Sequence, residues 1–322
     1  MEAEVAVLRR VGTHPHCVTL HEDFLEGFLS YIVMERCDMT LPQALDSLPE
    51  LTTRTLMRII REMLLALDCI HGSLVVHRDI KPDNFLCSGE ERTIKLCDFG
   101  LAALLPKHNG QLRGLFGTPP FMSPEIIRGD CYGTKTDVWS LGVLTYVLLC
   151  GQLPYQPLEK SAMAMKTAIV AGTPAPTSQP GSCLDTAGSQ PSPAAILFLR
   201  SLLERNKVRR PAAADALQLK WLDFSADSQR SEQSLRPMFD AAKRTGAFGE
   251  IRASKCVKQS ALDAALASMQ AKHRGGSTYS VDTTEGTTPM EESANGSPIS
   301  SDLGSWTSRQ SGHHALVAHD DR

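Results

Sequence analysis

The sequence predicts an α+β fold, with a small αβ piece leading into a large, mainly helical body. Three observations predict it. The strand-like apolar runs all lie within the first hundred residues. From Thr136 onward the apolar runs are helical in length and spacing. Near residue 225 the composition changes, and Ser, Gly, Thr and charge replace the regular apolar runs.

The elements follow in order. Val5, Leu8 and Val11 recur at three-residue steps, which predicts an amphipathic helix over Glu2–Val11. His14-Pro15 lies just past its end. Val18–Leu20 and Tyr31–Met34 read as short strands, with Glu26-Gly27 in the connection. Thr53–Ile70 is a long helix with Leu56, Ile60, Met63, Leu64 and Leu67 on one face. Leu74–Val76 and Thr93–Cys97 are short apolar runs flanking polar loops. Thr136–Cys150 is the most apolar helix. Thr173–Pro193 is rich in Pro, Ser, Thr and Gly and reads as a loop. Ala194–Glu204 and Ala212–Lys220 are two further helices. From Gly275 to the end the chain is polar and aperiodic, the pattern of a disordered tail.

Composition excludes several classes. Of 322 residues, 42% are hydrophobic and 21% charged, so a wholly disordered chain, a collagen and a coiled coil are ruled out. A net charge of -3 gives no basic field for nucleic acid or an anionic membrane. The longest apolar run, Val138–Cys150, spans about 13 residues where a bilayer needs about 20. The nine cysteines form no CxxC pair and no Cys/His cluster at zinc spacing, so buried thiols in a reducing compartment are expected. The acidic, weakly apolar start is unlike a signal peptide. The cytoplasm, or the nucleus, is the expected compartment.

The chemistry concentrates in Val76-His77-Arg78-Asp79-Ile80-Lys81-Pro82-Asp83-Asn84. Such a loop can aim a base, a cation and a metal ligand at one point. Asp98-Phe99-Gly100 follows the strand-like Ile94–Cys97, where a second metal ligand would stand. Mg²⁺ prefers hard oxygen donors and keeps several waters, so one carboxylate and one amide suffice beside phosphates. These segments resemble the catalytic loop and the DFG motif of the eukaryotic protein kinase family. Gly117-Thr118-Pro119, Ser123-Pro124-Glu125 in the place of APE, Asp137-Val138-Trp139-Ser140-Leu141-Gly142 and Arg210-Pro211 follow in the family's order. The resemblance covers residues 1–224.

That resemblance implies ATP and Mg²⁺ as cofactors, protein Ser/Thr hydroxyls as substrates, and the following roles. Asp79 would accept and orient the substrate hydroxyl proton, and Lys81 would offset charge on the transferring phosphoryl. Asn84 and Asp98 would hold Mg²⁺. Thr118, Asp137, and a Glu125–Arg210 ion pair would support the site without doing chemistry. Thr118 would bond within the catalytic loop, and Asp137 would brace the backbone of His77 and Arg78. Met34 would be the gatekeeper of the adenine pocket, Glu35 and Cys37 would bond the purine edge through their backbones, and Leu86 would lie beneath the base. Leu8, Leu20, His77 and Phe99 would stack into an apolar spine.

The sequence departs from the family pattern at its start. It has no GxGxxG ahead of the catalytic loop and no VAIK-like strand. The expected architecture is a protein kinase-like two-lobe fold, with a partial N-lobe lacking its first three strands and a complete helical C-lobe. Glu4 falls where the family has the helix Glu that pairs with the missing Lys, so it is expected to lack a cationic partner. The intact Asp79, Lys81, Asn84 and Asp98 favour a truncated active kinase that needs the missing strands for full activity. A non-catalytic, pseudokinase-like interaction module is the alternative. Between Asp98 and Glu125 the only hydroxyl residues are Thr118 and Ser123, and Gly114-Leu115-Phe116 occupies the usual phosphosite. Arg78 therefore has no phosphate to meet there, and either Leu115 and Phe116 packing on the C-lobe or a partner is expected to order the segment.

HRDIKPDNFL and DVWSLGVLTYVLLCGQLPY resemble the calcium/calmodulin-regulated and calcium-dependent kinase group. Residues 225–274 read as a linker or regulatory segment with short helices. Within it Ser234–Arg244 and Ala261–Lys272 are amphipathic, and each is a candidate to dock on the domain or bind a calmodulin-like partner. Residues 275–322 form the tail, in which Thr288-Pro289 and Ser297-Pro298 are candidate phosphosites.

Overall fold

The computed structural model describes residues 2–26, 29–107, 110–173, 191–224 and 234–248. Helix α1 (Glu2–Val11) carries Glu2 and Glu4 in its first turn and Arg9 and Arg10 in its last, the charge order that suits the helix dipole. Val5, Val7, Leu8 and Val11 are buried. Strands β1 (Leu20–Glu26) and β2 (Leu29–Met34) pair antiparallel, with Phe24 stacked on Tyr31 at 5.0 Å. Strand β2 exceeds the predicted Tyr31–Met34 run, whereas β1 begins at Leu20, where the predicted Val18–Leu20 run ends, and Glu26 lies in β1 rather than in the connection. Leu20–Glu26 reads LHEDFLE, whose charges break the apolar pattern, and Leu25 is exposed.

Strand β3 (Met39–Thr40) runs into α2 (Leu41–Ser47), a helix the sequence reading did not contain. Its start is a capping box between Thr40 and Gln43, with Pro42 in the first turn. Helix α3 (Thr53–Gly72) is capped by Thr52 and buries the predicted stripe. Strands β4 (Val75–Val76), β5 (Phe85–Ser88), β6 (Thr93–Leu96) and β7 (Ala103–Leu104) form two small antiparallel sheets, ordered β3-β5-β6 and β4-β7. These hairpins fix both ends of the catalytic loop.

Helix α4 (Pro124–Arg128) leads to α5 (Lys135–Cys150), which is buried from Thr136 to Cys150. A helix apolar on every face must be surrounded by protein. Its buried hydroxyls bond to backbone carbonyls: Ser140 donates to Phe121 O at 2.7 Å and Thr145 to Leu141 O at 2.8 Å. Gly142 allows a close crossing, since a Cβ there would stand 2.8 Å from the Leu202 Cβ.

Helix α6 (Ala162–Ala171), α7 (Pro193–Leu202) and α8 (Ala213–Ala216) follow. The helix expected over Ala212–Lys220 is reduced to α8. The chain then bends through a 3-10 turn, Lys220–Leu222, which brings Trp221 against Phe198 at 4.7 Å. Helix α9 (Arg236–Thr245) packs on α5, with Met238, Phe239 and Ala242 buried. Its basic face is also engaged. Arg236 donates to the carbonyls of Leu45, Asp46 and Leu48, and Lys243 pairs with Asp46 at 2.7 Å. The packed body therefore runs on past the boundary expected at 224. Of the two expectations for Ser234–Arg244, docking on the domain or binding a calmodulin-like partner, the structure shows the apolar face docked on α5. The Ala261–Lys272 helix, the tail from Gly275 and most of the Thr173–Pro193 loop lie outside the described residues. No described helix is long and apolar enough to cross a membrane.

Candidate active site

The loop after β4 gathers its polar side chains on one carboxylate. Asp79 Oδ1 accepts from the Thr118 backbone N–H at 3.0 Å and the Thr118 hydroxyl at 2.7 Å. Oδ2 accepts from Lys81 Nζ at 2.6 Å and Asn84 Nδ2 at 3.3 Å. Asn84 Nδ2 also donates to the Asp79 carbonyl at 2.8 Å, so its amide oxygen is the atom left to serve a cation. Burial pushes the Asp79 carboxyl up, but the Lys81 and Thr118 hydrogen bonds outweigh it and hold the group below its ordinary value. The result is a preorganised, ionised base. Lys81 Nζ stands also 3.4 Å from the Thr118 hydroxyl. Thr118 reaches this point because Gly117 precedes it with φ of 110°. A Cβ on Gly117 would meet the Arg78 carbonyl oxygen at 2.5 Å.

A second carboxylate holds the loop from behind. Asp137, fully buried on α5, accepts from the His77 N–H and the Arg78 N–H, both at 2.9 Å. His71 Nε2 lies 2.9 Å from the same carboxylate, a partner absent from the sequence reading because its 66-residue separation is bridged only by the fold. Arg78 has φ of 68°, a left-handed conformation costing on the order of 1–3 kcal/mol in a non-glycine residue. The Asp137 contacts offset that strain.

Asp98 also has positive φ, 60°, and it is exposed. Phe99 is buried beside it against His77, with ring centroids 5.1 Å apart. His77 Nε2 lies 3.0 Å from the Cys97 carbonyl, and the Cys97 N–H donates to Asn84 O at 2.9 Å. These bonds set the residue before Asp98 against the backbone of Asn84. Both are oxygen donors of the kind Mg²⁺ takes.

The end of β2 and the segment after it hold Met34, Glu35 and Cys37, the residues expected to line a purine site. Met34 ends the strand, half-buried against the core. The Glu35 N–H is spent on Thr19 O at 2.8 Å, which leaves the carbonyl of that residue for a ligand. The Glu35 side chain pairs with Lys95 at 2.9 Å. Burial pushes the Cys37 thiol up to about 11, so its side chain is neutral at pH 7. Leu86, on β5, is half-buried. Leu8 is buried and Leu20 packs on the same core. Glu4 is engaged in an interaction in the structure. Its Oε2 lies 3.9 Å from where a Gly100 Cβ would stand, so α1 closes over the start of the activation segment.

In that segment Arg78 Nε donates to Leu101 O at 2.6 Å and Nη1 to Tyr132 Oη at 3.4 Å. The guanidinium carbon sits 4.0 Å from the centroid of Phe116. Leu115 and Phe116 do not bury into the helical body; they are 52% and 37% exposed. Arg78 draws the ring instead. Ser123 is buried, its hydroxyl 2.6 Å from that of Thr136. Glu125 receives both ends of the buried Arg210 guanidinium, at 2.6 and 3.1 Å.

A protein kinase domain family model matches residues 1–222. The chain belongs to the protein kinase family. It is 36% identical over 228 residues to the hormonally up-regulated neu tumor-associated kinase homolog A of Xenopus laevis, a match covering 67% of this chain and 31% of that protein. It is 34% identical over 241 residues to CBL-interacting protein kinase 20 of Oryza sativa subsp. japonica, covering 68% and 50%. With calcium-dependent protein kinase 9 of the same plant it shares 32% over 226 residues, covering 69% and 38%. The chain thus spans about a third to a half of the length of the curated relatives it matches. Within this serine/threonine kinase family, the α+β architecture seen here is a kinase-like fold: a small sheet piece on a helical body.

Proposed function

We propose that the protein transfers the γ-phosphoryl group of ATP to serine or threonine hydroxyls of protein substrates. The observation that carries the reading is the convergence of Lys81, Asn84 and Thr118 on the Asp79 carboxylate. A phosphoryl transfer needs little covalent chemistry from the protein. It needs positioning and charge at the right atoms.

Asp79 is the group that accepts the hydrogen bond of an incoming hydroxyl and takes its proton. Its low proton affinity suits orientation first and proton capture late in the transfer. Lys81, already 2.6 Å from Asp79, supplies positive charge beside the transferring group. A Mg²⁺–ATP complex supplies the phosphoryl and neutralises its charge. Asn84 and Asp98 are the oxygen donors that would hold the metal, and the Glu35 carbonyl and Cys37 backbone would take the purine edge. Thr118 fixes the floor on which a substrate strand lies.

The sequence carries no glycine-rich turn and no paired lysine ahead of Glu4. We therefore propose that full turnover needs those parts, as a form carrying them ahead of α1 would supply. The test is ATP-dependent phosphorylation of a Ser/Thr peptide library by the chain and by such a form, each against its Asp79→Asn variant. Transfer that vanishes with Asp79→Asn supports the reading. Nucleotide binding without transfer in the longer form would instead support a non-catalytic interaction module.

A further inference from the structure

Away from the active site, the fold brings together two thiols far apart in sequence. Cys17 lies on the connection between α1 and β1, and Cys69 in the last turns of α3. The ligating atoms of His14, Cys17 and Cys69 all lie within 4.8 Å of one another. Cys17 is buried, its Sγ 4.0 Å from the Ala66 carbonyl, whereas Cys69 is half-buried. Both are free thiols, and nothing in the phosphoryl-transfer site uses either one.

A metal does not fit this cluster. His14 Nδ1 accepts the His16 N–H at 3.2 Å, so the neutral ring carries its proton on Nε2 and offers no lone pair. Burial, then the neighbouring His16 and Lys95, hold the His14 ring below its ordinary value and keep it neutral at pH 7. Two sulfurs alone fall short of the four ligands of a structural zinc site.

We propose that Cys17 and Cys69 are a peroxide-sensitive thiol pair that closes to a disulfide joining the α1–β1 connection to α3. Cys69, half-buried, is the sulfur that peroxide reaches first, and Cys17, buried beside it, is the resolving thiol. The neighbouring Cys17 thiol also holds the Cys69 thiol below its ordinary value. The Cys69 thiolate attacks hydrogen peroxide, the O–O bond breaks, and hydroxide leaves to be protonated to water. Cys69 is then a sulfenic acid. The Cys17 sulfur attacks it, the S–O bond breaks, and the departing hydroxide takes the Cys17 proton as a second water. Two thiols have lost two electrons to one peroxide. The bond would tie the small αβ piece to the helical body.

The test treats the reduced full-length chain with hydrogen peroxide and digests it under non-reducing conditions. The expected product is a peptide pair linked through Cys17 and Cys69, lighter by two hydrogens and separated again by dithiothreitol. In Cys17→Ser the Cys69 sulfenic acid should persist and be trapped by dimedone. Cys17→Ala serves the same purpose where serine disturbs the buried site, and a thermal melt of each variant establishes folding. Three outcomes would overturn the proposal: oxidation that pairs other members of the nine cysteines first, Cys69 reacting no faster than half-buried Cys131, or zinc retained stoichiometrically through chelator dialysis.

Discussion

Replacing Arg210 by alanine should be among the most destabilising single changes in the helical body. The Arg210 side chain is 0% exposed and the Glu125 side chain 4%. Besides its two contacts to Glu125, Arg210 donates to Lys135 O at 2.8 Å and to Glu204 O at 2.9 Å, and its guanidinium carbon lies 5.1 Å from the Trp139 centroid. The truncation strands a buried carboxylate and two carbonyls together. Breaking a buried ion pair by removing one partner costs about 3–5 kcal/mol. For a body of this size each kcal/mol lowers Tm by about 2–4 °C, so the expected fall is about 6–20 °C. Glu125→Gln keeps an acceptor for the guanidinium and should cost clearly less. A Glu125→Leu, Arg210→Met double variant removes both charges and should recover part of the loss, since a buried pair replaced by apolar groups is often near neutral. Differential scanning calorimetry of the four proteins, with reversibility established, measures these shifts. A fall below about 3 °C in Arg210→Ala would refute the account, as would a double variant less stable than Arg210→Ala.

Four further outcomes are expected. Asp79→Asn should lower kcat about a hundredfold or more, the usual cost of losing a positioned acid-base group, with nucleotide affinity little changed by calorimetric titration. Asp79 is held below its ordinary 3.8 when folded, so its contribution to stability is present above about pH 4 and lost as pH falls through the lowered value; the difference between urea melts of wild type and Asp79→Asn should therefore be constant above about pH 5 and shrink as pH falls below 3.8. Gly117→Ala puts a methyl 2.5 Å from the Arg78 carbonyl in a backbone region costing about 1–3 kcal/mol, so transfer should fall at least tenfold and Tm by about 2–12 °C. Phe116→Ala removes a half-exposed cation–π contact of about 1 kcal/mol, so amide exchange of residues 112–118 should quicken about five-fold, with Phe116→Tyr close to wild type.

The parts legible in the sequence are those whose determinants are local. Helix α1 spans Glu2–Val11, the bounds its three-residue apolar steps predict, and α5 differs from its reading by one residue at the start. Strand β1 lies past its predicted run because LHEDFLE sets Glu22, Asp23 and Glu26 among its apolar residues and so shows no clean alternation. Helix α6, AMAMKTAIVA, has small and apolar residues on all sides and so no stripe to detect. Asp79, Lys81 and Asn84 occupy six consecutive positions, so any fold of that loop keeps them near one another. His71, Tyr132 and Lys95 took up partners across long separations that composition and spacing do not encode. The Cys17–Cys69 pair belongs with them: the sequence shows scattered cysteines, and only α3 packing against the α1–β1 connection makes them neighbours. Basic, amphipathic α9 shows the opposite limit, since a stripe of that kind fits a partner's groove and the chain's own core equally well.

The environment of Arg78 bears on how the activation segment is ordered. An arginine in this loop can hold the segment through an anionic partner, and phosphorylation supplies one. The two hydroxyls between Asp98 and Glu125 are poorly placed for that. Thr118 is committed to Asp79 at 2.7 Å, where a phosphate would set about two negative charges against the base. Ser123 is buried against Thr136, and modifying it would require opening the junction of α4 and α5. Arg78 meanwhile has three partners: the Leu101 carbonyl, the Tyr132 hydroxyl and the Phe116 ring. None of them needs a second enzyme. Each spans from the catalytic loop to a different stretch of the segment or its anchor, and Tyr132 passes the link on to Arg113 O at 3.4 Å. The physical consequence is a segment held by contacts from the Arg78 cation to uncharged partners in place of an ion pair. Its order should therefore be nearly independent of phosphatase treatment and of salt, whereas a phosphate-organised segment would loosen as ionic strength screens its charge pair.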